Sequence, residues 1–66
     1  MTPDHYEILG LQLSASEQEI KAAYRRLAFR AHPDAGGSAA LFRLVEEAHS
    51  VLSDPVRRRQ YDAMRQ

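Results

Sequence analysis

Apolar side chains recur along the chain at helical spacing and stop at a few sharp joints. Ile20, Ala23, Tyr24, Leu27, Ala28 and Ala31 fall at i, i+3, i+4, i+7, i+8 and i+11, one continuous stripe on an α-helix. This predicts a helix over 17–31. Ser14 with Glu17 and Ser16 with Glu19 offer two overlapping capping boxes, and Ser16 is favoured because the stripe begins at Ile20. Pro33 ends the helix by pushing His32 out of helical dihedrals. Ala35, Gly36 and Gly37 extend a loop over 32–37, after which Ser38 caps a helix over 39–52 that turns Leu41, Phe42, Val45, Ala48 and Leu52 inward.

Two shorter helices flank this pair. Residues 4–9, following Pro3, place Tyr6 and Leu9 three apart on one face, with Gly10 positioned to stop the helix and Leu11 and Leu13 expected in the core. Asp54 followed by Pro55 is a cap and a favoured first helical residue, so the last helix is expected over 55–63. The expected fold is all-α, with the second and third helices forming an antiparallel hairpin.

Size narrows the function. At 66 residues the chain is one domain over 1–66, with roughly 4,200 Å² of folded surface against roughly 10,900 Å² unfolded. An enclosed catalytic cavity needs more chain than that, so no enzyme is expected. Nine Lys plus Arg balance nine Asp plus Glu, which gives no general reason to expect nucleic acid or membrane as a partner. The absence of cysteine removes disulfides, thiolate zinc sites and a thiol nucleophile. No apolar run approaches the roughly 20 residues that cross a bilayer, and the reading is a soluble, cytoplasmic, monomeric domain without cofactor or metal.

Local charge is more informative. On a helical wheel Lys21, Arg25, Arg26 and Arg30 spread over the arc that the apolar stripe leaves free, and no acid lies between residues 21 and 30. Such a face is either a solvated surface with favourable charge near the helix C-terminus or a docking surface for an anionic partner. Phe29 falls among these cations on the same wheel and either packs under the loop or belongs to that surface. His32-Pro33-Asp34 invites thoughts of acid–base or metal chemistry, but neither His5 nor His49 has ligand spacing and no nucleophile accompanies it. The plain alternative is a structural loop in which Asp34 satisfies local backbone donors.

Four segments in this order resemble the J-domain of the DnaJ co-chaperone family: DHYEILGL (4–11), EIKAAYRRLAFRAHPD (19–34), FRLVEEAHSVLSDP (42–55) and RRRQYD (57–62). The resemblance covers essentially the whole chain. It implies a four-helix domain that binds the ATPase domain and linker region of a DnaK-type heat-shock chaperone and stimulates ATP hydrolysis there. Carried over by position, it makes His32, Pro33 and Asp34 the essential trio and Lys21, Arg25 and Arg26 the helix-two contributors, with Tyr24, Phe29 and Arg30 completing the candidate docking set. The chain departs from the family at Ala31 and His49, where tyrosine is usual, and at Ala35, where a cation commonly follows the trio. Two alternatives are a J-like assembly module that lacks ATPase stimulation and a helical nucleic-acid binder using Arg57, Arg58 and Arg59 as a second basic patch.

Overall fold

Each helix begins where a side chain can take up its free amide hydrogens. In a computed structural model describing residues 4–65, α1 spans His5–Leu9, α2 Glu17–Ala31, α3 Ala39–Leu52 and α4 Pro55–Met64, with no strand among the described residues. Asp4, expected inside α1, instead caps it: its carboxylate accepts from Glu7 N–H while Asp4 N–H donates to the Glu7 carboxylate. Gly10 closes α1 at φ +70°, donating to the Glu7 carbonyl, while Leu11 N–H reaches the Tyr6 carbonyl, the 5→2 and 6→1 pairing of a Schellman end. Pro3 lies outside the described residues.

The capping box of α2 forms in the Ser16 register, with Glu19 N–H on Ser16 Oγ at 3.1 Å and Ser16 N–H on Glu19 Oε1 at 2.7 Å. Ser38 Oγ caps α3 through Leu41 N–H, and Asp54 caps α4 through Val56 and Arg57 N–H behind Pro55. One residue separates α4 from its expected end, since it runs on through Met64.

The core is Tyr6, Leu9, Ala15, Ile20, Ala23, Ala31, Val45, Ala48 and Leu52, with Tyr24, Leu27, Phe42 and Tyr61 half-buried around it. Both α1 and α2 pack against α3. Residue 32 faces residue 42 while residue 24 faces residues 46 and 49, so α2 and α3 run antiparallel.

Two expected core residues stand outside. Leu13 is 57% exposed, because the chain there is held by its carbonyl, which accepts from Arg58, and not by its side chain. Leu41 is 47% exposed. It occupies the first turn of α3, and α1, only about 7.5 Å long at 1.5 Å per residue, is too short to cover that helix from end to end. The accessible surface, 4924 Å², exceeds the size-scaling value because the molecule is flattened to 35 × 27 × 17 Å.

Candidate docking site

The site is built where α2 runs out. Pro33 demands an extended His32, which has φ −60° and ψ 134°, and the chain folds into a single 3₁₀ turn, Pro33–Ala35. His32 Nδ1 accepts from Asp34 N–H at 3.2 Å, and the His32 carbonyl accepts from both Ala35 N–H at 2.9 Å and Gly37 N–H at 3.1 Å. Gly36, at φ +90°, donates to the Pro33 carbonyl and takes the left-handed conformation that glycine tolerates best. The His32 ring stands edge-on against Phe42 of α3, centroids 5.4 Å apart.

Asp34 does not satisfy local backbone donors. Among the described residues its carboxylate accepts no hydrogen bond and its side chain is 94% exposed; the His32 ring performs the capping that sequence reasoning assigned to Asp34. The carboxylate is left as an acceptor aimed at solvent, and acceptors of that kind pair with cations.

Along α2, Lys21, Arg25, Arg26 and Arg30 are all exposed, and among the described residues none makes a hydrogen bond or ion pair. Phe29 is 77% exposed and so does not pack under the loop. Instead Phe29, Tyr24, Arg25, Ala28, His32, Asp34, Ala35 and Phe42 line one open groove of about 580 Å³. Lys21, Arg26, Arg30 and Pro33 are outside its lining and flank it on the helix and the turn. Tyr24 is committed within the fold: its ring stacks on His49 at 3.8 Å between centroids, and its hydroxyl donates to Glu46 at 2.7 Å. That hydrogen bond, aided by burial, pushes the phenol above its ordinary pKa, so it remains a donor.

The three-arginine run is split, with Arg57 and Arg59 exposed and Arg58 partly covered. Arg58 is drawn inward, its guanidinium donating to the Tyr6 hydroxyl and to the carbonyls of Leu13 and Ala15, and Arg57 reaches the Ser50 carbonyl. Sequence reasoning missed this strap, although Arg58 and Asp62 at i, i+4 beside Tyr61 carried its signal. No group of three or more His, Asp or Glu able to hold a metal occurs among the described residues. Within the same residues, no helix is long and apolar enough to cross a membrane.

Comparison with known proteins agrees with the geometry. The family model described as DnaJ domain matches residues 4–62. The chain is 53% identical over 62 residues to the Chaperone protein DnaJ of Leifsonia xyli subsp. xyli (strain CTCB07), covering 89% of this chain and 17% of that protein. To the DnaJ homolog subfamily B member 12 of Mus musculus it is 48% identical over 62 residues, covering 89% and 16%. To the Chaperone protein DnaJ 1 of Mycobacterium leprae (strain TN) it is 51% identical over 65 residues, covering 94% and 17%. The chain therefore spans about a sixth of the length of these relatives. Four helices in this order, a histidine-capped turn after a basic α2, and a family match over nearly every described residue place the chain in the DnaJ domain family, the J-domains of co-chaperones.

Proposed function

We propose that the domain docks on the ATPase domain and linker region of a DnaK-type heat-shock chaperone and stimulates its ATP hydrolysis, supplying no catalytic group of its own. The observation that carries this reading is the proximity of an Asp34 carboxylate that accepts no hydrogen bond to a row of cations on the adjoining helix that make no hydrogen bond or ion pair, among the described residues. Asp34 takes a cation of the partner while Lys21, Arg25, Arg26 and Arg30 face its acidic surface, and Tyr24 and Phe29 border the groove between them. Contacts made more strongly with the hydrolysis-competent state shift the partner toward it. The domain acts as a monomer, because the central apolar stripes of α2 and α3 are consumed by their own core.

Single-turnover ATP hydrolysis by a DnaK-type chaperone, with and without the domain, tests this. Asp34→Asn keeps the turn and removes the charge, so it is expected to abolish stimulation while thermal melts stay within the scatter of exposed substitutions, about 0.5 kcal/mol. Undiminished stimulation by Asp34→Asn rejects the proposal.

A further inference from the structure

The amide hydrogens of the docking loop are taken up almost entirely by one residue. Pro33 has none, and of the four that follow, His32 accepts three: Asp34 N–H at ring Nδ1, and Ala35 and Gly37 N–H at the carbonyl. The fourth, Gly36 N–H, goes to Pro33. A loop whose donors are all satisfied internally reaches its partner with its shape already set, and less ordering entropy is lost on binding. The ring contact is the side-chain member of this set, and it sits on the residue whose carboxylate is free.

The same nitrogen cannot serve two ends. While Nδ1 accepts from Asp34 N–H it has no proton to donate, so the Asp34 carboxylate, 3.8 Å away, is not held by the ring. Accepting at Nδ1 also fixes the neutral tautomer with its proton on Nε2. The edge-on contact with Phe42 keeps the ring in the plane that makes the bond.

We propose that His32 is a positioning residue: its Nδ1 caps the turn and thereby presents Asp34, and the ring acts through that cap and not by touching the partner. The inference rests on the docking reading, and it makes an unusual demand. Asparagine carries an acceptor, Oδ1, at the same bond count from Cα as histidine Nδ1, and it caps N–H groups two residues on. Glutamine carries its acceptor one carbon too far out. The two amides are therefore expected to part company.

In the single-turnover assay His32→Asn is expected to retain about a third or more of the wild-type stimulation, and His32→Gln to fall below about a tenth, the factor to which loss of one cap converts. His32→Asn should melt with the wild type, and His32→Gln should fall below it by no more than the lost cap, since the turn lies outside the core. Equal loss in Asn and Gln with unchanged melts, or full activity in Gln, overturns the proposal. An independent arm needs no chaperone. Long-range ¹H–¹⁵N spectra of the isolated domain at mildly alkaline pH should show Nδ1 as the unprotonated ring nitrogen, and exchange of the Asp34 amide should quicken about tenfold in Gln but not in Asn. A protonated Nδ1, or Asp34 exchange indifferent to both substitutions, overturns the cap. Failure of the wild type to stimulate rejects the docking reading alone, and the spectra still decide the role of His32.

Discussion

A Cβ on Gly37 would run into the carbonyl oxygen and carbon of Ala31, well inside contact distance with backbone that cannot rotate away. Ala31 itself is buried, so the clash is not relieved by moving α2. Gly37→Ala is therefore expected to destabilise by roughly 1–3 kcal/mol, the range for forced overpacking, and to weaken stimulation because the turn must shift. Chemical denaturation of the variant beside wild type checks the first part; an unchanged midpoint contradicts the close approach. Nothing in the sequence distinguishes Gly37 from Gly36. One is required by a neighbour six residues back and the other by its own positive φ, and only coordinates separate the two reasons. The capping role of His32 was hidden in the same way: a histidine before a proline reads as a charged or catalytic candidate, and its contact is with its own chain.

At the scale of an element, α2 divides into a face that packs and an exposed cationic face, the one proposed to dock. Arg25 is exposed and unpaired among the described residues, whereas Tyr24, its neighbour, is stacked on His49 and bonded to Glu46. Arg25→Glu should leave the melting curve in place and weaken chaperone binding, and wild-type binding should itself fall with salt, because exposed attraction is screened within about 8 Å at physiological ionic strength. Tyr24→Ala should lose about 1–3 kcal/mol of stability in addition, since it strips a half-buried ring from the α2–α3 seam. Affinity at two salt concentrations beside melts of both variants checks the division; salt-insensitive binding with Arg25→Glu equal to wild type refutes the electrostatic face. The helices themselves were legible because caps and stripes are local signals: Ser16 with Glu19, Ser38, and Asp54 with Pro55 each act within four residues. What the stripe could not show is how far a neighbour reaches. Leu13 and Leu41 fit the apolar pattern and stand in solvent, since burial depends on the partner element.

At the scale of the whole molecule, α1 and α4 are joined by a seam of hydrogen bonds, and that seam contributes to how the fold responds to pH. On one side Tyr6 OH donates to Asp62 at 2.7 Å and accepts from Arg58 Nε at 3.0 Å; on the other, Asp4 pairs with Arg65, and the Tyr61 hydroxyl accepts from His5 N–H. The Glu7 amide that Asp4 caps, with help from Arg65 and against the effect of burial, lowers the Asp4 carboxyl below its ordinary 3.8. A lowered acid contributes stability that is complete above the unfolded value and disappears as the pH falls through the folded one. Tyr6 shows the opposite shift. Burial, then its bond to Asp62, raises the phenol above its ordinary 10.0 against the pull of Arg58, so its contribution is complete below 10.0 and is lost as the pH climbs through the folded value. Both limbs of the stability curve thus include groups from the α1–α4 seam, while the 32–37 loop lies elsewhere on the surface. Asp4→Asn keeps a good cap but removes the titrating charge, so it should flatten the acid limb and leave the alkaline one intact. Tyr6→Phe should do the reverse, and it should also lower stability at neutral pH, because the partly exposed Arg58 and Asp62 each lose a hydrogen-bond partner, a bond of net worth about 0.5–1.5 kcal/mol. Denaturant midpoints followed from acid to alkaline pH for wild type and both variants decide the matter: parallel curves for all three would show that the seam does not govern the pH response.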